Sequence, residues 1–311
     1  MMKIAVFFVG EVEDAGFNAS ALAGAQAASD EGLAEINIIS GLSYDQAEIR
    51  HRMAAILPDH DGLVFIGGQG NLATPELAMA CPDKRFAIVQ GNKTGPNLAS
   101  YDVRQEDSAF LAGCLAARLT QSGTVAHLSG HRVLPGLKGR AAFAAGVAHA
   151  DPSVDVLTGF CGTQDDGDVT YRWASAQITA GADILFTMLN GARGGAIRAC
   201  REHGIQQIGN ALDWVARDPG VFVASAIARI DTGVHRAVQD MVNGHVPNHV
   251  VEFGLAEGDF VSLSLGRDVP EPLSDEIEDF AEGIRTGRIV VPKEYAGDEF
   301  KPDEAQCDAT R

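Results

Sequence analysis

A chain of 311 residues exceeds what one hydrophobic core comfortably supports, which allows two domains, and its hydrophobic fraction of 46% is that of an ordinary globular protein. With 42 acidic against 24 basic side chains the formal net charge is −18, a surface that repels phosphate backbones and anionic lipid headgroups alike and argues against nucleic acid or membrane-surface binding. Cys81, Cys114, Cys161, Cys200 and Cys307 are widely spaced, with neither a CxxC pair nor metal-ligand spacing, and read as unpaired thiols of a reducing compartment.

The amino terminus MMKIAVFFVGEVED carries about seven apolar residues before acids begin, so it reads as a strand and not as a signal peptide. No apolar run approaches the roughly 18 to 20 residues of a membrane span. From there short β-rich runs alternate with Ala-rich amphipathic ones. Strands are expected at 3–9, 36–40, 62–67, 85–90, 124–130, 154–159, 183–189, 206–210 and 221–226. Helices are expected at 17–32, 44–57, 73–82, 107–123, 135–150, 168–181, 194–204 and 231–244. The strands are continuously apolar, as in a parallel sheet covered on both faces, and the alternation is that of a doubly wound α/β architecture. A polar stretch at 97–108 separates two series, the run EFGLAEGDFVSLSLG has hairpin character, an acidic helix spans about 272–287, and GDEFKPDEAQCDATR reads as a frayed end. Two lobes follow: 1–103 with about 226–258, and 104–225 with about 259–311.

Six segments, taken in order, resemble the basic membrane protein family, the purine nucleoside receptor-like solute-binding proteins of ABC importers. They are Asp14 to Asn18 (DAGFN), CPDKRF at 81–86, EDSAFLAGCLAA at 106–117, GTQDD at 162–166, GADILFTMLNGARGGAI at 181–197 and GIRTGRIVVP at 283–292. The resemblance implies a type I periplasmic-binding-protein fold: two doubly wound parallel-sheet lobes joined by a hinge of three crossings, closing on a ligand between them. It implies no catalysis, no cofactor and no metal. Its partners would be a small molecule and the membrane subunits of an importer, without nucleic acid or direct membrane insertion.

In that fold the carboxyl ends of the strands face the ligand, which makes Asp14, Phe17 and Asn18 candidates for one wall; Asn18 and Asp14 equally suit helix caps. Gly68 and Gln69 lie in GGQGN, either a binding loop or a plain turn, and the run does not meet the dinucleotide fingerprint. Asn190 opens NGARGGA, which lacks the ending of a P-loop. Asp102 is a pocket acceptor by family position and a surface acid otherwise. His127 and His131 carry no metal signature, no nucleophile elbow is present, and Asp165 with Asp166 suits a solvated turn.

The departures from the family bear on the ligand. Gln164 stands where relatives that bind nucleosides stack the base on an aromatic ring. Where relatives have an acid pair for ribose, IGNALDW leaves Asn210, Ala211 and Asp213, and Ala228 of SAIARID stands in the place of a lysine. Trp214 offers either stacking from another direction or an ordinary packed indole. The expected ligand is therefore a planar nitrogen heterocycle or a related amide in preference to a whole nucleoside. Two other roles stay open for the same fold, an intracellular ligand sensor and an enzyme of nucleoside or base metabolism. The resemblance puts the protein in the cell envelope, whereas the chain as written stays inside.

Overall fold

Six of the seven residues of Lys3–Val9 are buried, as befits the apolar run that forms the first strand, β1, of a computed structural model describing residues 1–302. Ala5, Phe7 and Val9 point into one core cluster and the alternate residues to the opposite face. The chain continues as α1 (Phe17–Asp30), β2 (Glu35–Leu42), α2 (Gln46–Ile56), β3 (Gly62–Ile66), α3 (Gly70–Ala80), β4 (Arg85–Val89) and β5 (Leu98–Val103). Ile49 and Met53 of α2 and Ala73 and Ala78 of α3 complete that cluster.

The polar stretch at 97–108 does hold the break between the two series, at Val103 and Arg104, but its first part is strand β5 and not a loop. LASYDV is polar in composition yet wholly buried, because its polar groups find partners inside the fold. Ser100 Oγ donates to the Lys93 carbonyl at 2.6 Å and Tyr101 Oη donates to Asp240 at 2.9 Å. A buried hydroxyl so partnered avoids the cost that composition alone would assign to it.

The second series follows as α4 (Gln105–Leu119), β6 (Thr124–Ser129), α5 (Leu134–Ala150), β7 (Asp155–Phe160), α6 (Gly167–Thr179), β8 (Ile184–Met188), α7 (Arg193–His203), β9 (Gln206–Ala211), the short α8 (Trp214–Arg217) and β10 (Phe222–Ala228). After it come α9 (Ile230–Val242), β11 (Val250–Phe253), β12 (Val261–Leu265) and α10 (Glu271–Arg285). The described strands form two six-stranded sheets, ordered β11-β5-β4-β3-β1-β2 and β12-β10-β9-β8-β6-β7. All pairings are parallel except β10 with β12.

The sheets belong to two compact units. One comprises Met1–Val103, Val133–Pro135 and Arg229–Phe253; the other comprises Arg104–Arg132, Gly136–Ala228 and the chain from Gly254. The run at 252–266 is therefore no hairpin: β11 pairs with β5 in the first unit and β12 with β10 in the second. Within the first unit α1 packs on α9, and within the second α6 packs on α7 and α10 on α4. Helices α4 and α5 touch backbone to backbone, since a Cβ on Gly113 would lie 2.1 Å from the Phe143 carbonyl and one on Gly146 equally close to that of Phe110. Cys81, Cys114, Cys161 and Cys200 are free thiols, and burial raises those of Cys114 and Cys200 to about 12; Cys307 lies outside the described residues.

Candidate functional site

In each unit the chemistry gathers at the carboxyl ends of the parallel strands, where the strand-to-helix turns present backbone groups and short polar side chains. Three non-glycine residues among those described adopt the left-handed conformation, Ala15 (φ 48°), Gln90 (φ 67°) and Ala211 (φ 67°), and all three lie at these ends. Such strain persists only where surrounding contacts over-determine it, and it concentrates at ligand clamps.

In the first unit Asp14 is buried and spans the turn into α1. Its Oδ1 accepts from the amides of Gly16 and Ala19, and its Oδ2 from that of Asn18, each at 2.9 Å. Asn18 is buried as well, and its Nδ2 donates to the carbonyls of Val9 at 2.9 Å and Glu11 at 2.8 Å. Both side chains therefore brace the β1–α1 turn, leaving Asn18 only its amide oxygen for any further contact. Phe17, between them in sequence, is partly exposed.

Gly68 and Gln69 sit just before α3 and are partly exposed, with Gly67 at φ +105° making the turn only glycine tolerates. Gln90 was not foreseen. It is buried, its Nε2 donates to the Val103 carbonyl at 3.0 Å and its Oε1 accepts the Val103 amide at 2.7 Å, closing the ends of β4 and β5. Asp102 lies within β5, buried, in register with Glu252 of β11.

In the second unit Gln164 links three turns. Its Oε1 accepts the Asn190 amide at 3.2 Å, its carbonyl accepts that of Ala192 at 2.8 Å, and its side chain fills the space where a Cβ on Gly130 would stand. Asn190 itself is partly exposed. Asn210, buried at the end of β9, accepts from Arg193 Nη2 at 2.7 Å and donates to Gln105 Oε1 at 3.4 Å.

Arg193, the first residue of α7, is the functional candidate the residue patterns missed, since a lone arginine in a Gly-rich turn resembles any surface base. It is 2% exposed, donates to Thr187 Oγ1 at 3.0 Å and to the Leu189 carbonyl, and lies 4.7 Å from the Trp214 ring centroid. Trp214 is itself 9% exposed, with Arg217 at 5.3 Å and Phe222 tilted against it at 5.2 Å. The indole is packed, not presented for stacking. Asp213 caps α8 through the Ala216 amide at 3.1 Å and accepts from Ser264 Oγ at 3.3 Å. Ala211 and Ala228 are each 1% exposed.

His127 lies at 0% exposure between Thr158 Oγ1, 2.9 Å from Nδ1, and Ser129 Oγ, 2.8 Å from Nε2. Burial among Phe143, Phe160 and Phe186, aided by the Arg140 charge, holds it neutral with a pKa lowered to about 3. Ser129 is 1% exposed, and the pair forms a polar link inside the sheet. No group of three or more metal-ligating side chains occurs among the described residues, and no helix among them is long and apolar enough to cross a membrane.

The family model for PnrA-like ABC transporter substrate-binding proteins matches residues 1–294. A lipoprotein of Pyrococcus abyssi, described as uncharacterized, is 25% identical over 82% of this chain and 67% of its own. A purine-binding protein of Brucella abortus is 21% identical over 73% of this chain and 64% of its own. In three dimensions the chain is similar to an ABC transporter solute-binding protein of Aeropyrum pernix K1, with a TM-score of 0.82, 20% identity and 95% of each chain covered.

Proposed function

The chain belongs to the family of PnrA-like ABC transporter substrate-binding proteins, and from that premise we propose that it binds, without converting, a planar nitrogen heterocycle or a related small amide as the solute-binding component of an importer. The observation that carries the choice of ligand is the pair Ala211 and Ala228, both buried, at positions where the family resemblance expects an acid and a lysine for a nucleoside. A ribose would give up its hydration there with fewer charge-assisted partners in return. Neutral amides remain at the carboxyl ends, from Gln69, Gln164, Asn190 and Asn210, and an amide offers both donor and acceptor to ring nitrogens and carbonyls. The packed cation of Arg193 behind Asn210 polarises that amide toward a ligand carbonyl.

The purine-binding relative supports a ring ligand of this class. Work in an importer places the protein at the cell envelope, with the importer's membrane subunits as partners. Native mass spectrometry of freshly purified protein tests the proposal: a co-purifying molecule of base or amide mass is expected, and one that loses a pentose on fragmentation contradicts it.

A further inference from the structure

The family match ends at residue 294, yet the chain beyond it is tied to the second unit by three kinds of contact. The expectation of a frayed end is thereby corrected for residues 297–300; those after 302 lie outside the described residues. The Glu299 carboxylate bridges two guanidiniums, accepting from Arg132 Nη1 at 2.8 Å through one oxygen and from Arg140 through the other. Phe300 donates its amide to the Thr158 carbonyl at 2.8 Å on the outer strand of the sheet, and its ring meets Trp173 edge to face at 6.5 Å. The guanidinium of Arg140 lies between aromatic partners, 5.0 Å from the Phe160 ring centre and 4.8 Å from that of Tyr295. Gly159 admits the strap, since a Cβ there would fall 2.5 Å from the Trp173 ring and 3.2 Å from the Phe300 carbonyl.

These contacts end on the turns already described. Arg132 follows Gly130 by two residues; Gly130 abuts the Gln164 side chain, and Gln164 holds the Asn190 amide. Arg132 also lies 4.8 Å from the Phe160 ring, at the end of β7. We infer that Tyr295–Phe300 is a latch, with Glu299 its positioning residue, which orders residues 130–132 after β6 and the β7–α6 turn, all in the second unit. A carboxylate shared by two cations fixes two segments at once, whereas a single ion pair on a mobile side chain fixes neither. Removing it releases Arg132, and with it the turn against which Gln164 is set.

The latch stands on contacts within one unit, while its bearing on ligand affinity rests on the proposed function, so the test uses the full chain without ligand. Hydrogen exchange is followed in wild type, in Glu299→Gln and in a chain ending at Gly297. Peptides covering 128–141 and 158–166 are expected to exchange about tenfold faster in both variants, with residues 1–103 and 229–253 of the first unit unchanged. Glu299→Asp, which keeps the charge, is expected to fall between. Unchanged rates in those peptides, or acceleration spread evenly over both units, overturn the inference. The point variant decides the matter even where the shortened chain does not fold.

Discussion

Asp14 gathers three backbone amides with two oxygens, so its loss strands donors that the turn has taken from water. Asp14→Ala is expected to cost about 1 to 3 kcal/mol in denaturant unfolding. Asn18→Ala is expected to cost a similar amount, because the carbonyls of Val9 and Glu11 lose their donor, the first bond buried and the second partly so. Unchanged midpoints with weakened ligand binding would instead assign both residues to the ligand alone. Two further residues contribute to the response to acid. His127 has a folded pKa lowered to about 3, so from its ordinary value near 6.5 downward the unfolded chain binds the extra proton and stability falls, by about 1.4 kcal/mol per pH unit. His127→Asn should flatten that slope in pH-dependent thermal unfolding, and an unaltered slope would remove His127 from the explanation. Glu299 is held at about 2 by Arg132 first and Arg140 second, with Tyr295 and Asp298 on its own segment and His127 behind Arg140. Its contribution is present above about 4.5 and is lost as pH falls toward 2. At this scale the sequence pointed to Asp14, Asn18 and Gln164 as residues of the turns, but could not reveal Arg193 or Gln90. Their burial depends on tertiary partners, the end of β8 at Thr187 and Leu189 and Asn210 of β9 for the one, and Val103 of β5 for the other.

Elements were legible where the apolar run was continuous, as at KIAVFFV and GLVFI, and illegible where polar residues are satisfied from afar. Strand β5 is the clear case: Tyr101 reaches Asp240 on α9, which lies 139 residues on. Strands β11 and β12 look like a hairpin because only seven residues separate them, yet the chain leaves one unit between them at Phe253 and Gly254. Helix packing was legible only as small-residue composition. The reciprocal contact of Gly113 and Gly146 gives it a consequence: Gly113→Ala must force α4 and α5 apart, since the added Cβ would stand 2.1 Å from a backbone carbonyl. A loss of about 1 to 3 kcal/mol, the ordinary cost of overpacking, is expected in denaturant unfolding. Gly194→Ala on α7, where nothing lies within 4 Å, is the control and should be neutral or slightly stabilising. Equal effects at the two sites would contradict the close-packed interface.

For the molecule as a whole, alternation of strands and helices indicated a doubly wound α/β chain, and the order of the family motifs indicated a solute-binding protein; both agree with the two parallel-dominant sheets and the family match. The ligand was not legible in the same way, because the contacts proposed for it, Gln69, Gln164, Asn190 and Asn210, lie at the ends of four separate strands or in the turns that follow them. Under the proposed function, buried alanines where the family resemblance expects an acid and a lysine disfavour a sugar, and the neutral amides favour a ring or an amide. Isothermal titration of one preparation with adenine, hypoxanthine, a cyclic ureide, adenosine and inosine compares these classes directly. A free base or ureide should bind at least about tenfold more tightly than its nucleoside, a difference of about 1.4 kcal/mol. Tighter binding of adenosine or inosine than of every base and ureide would contradict the proposed function and return the protein to nucleoside binding.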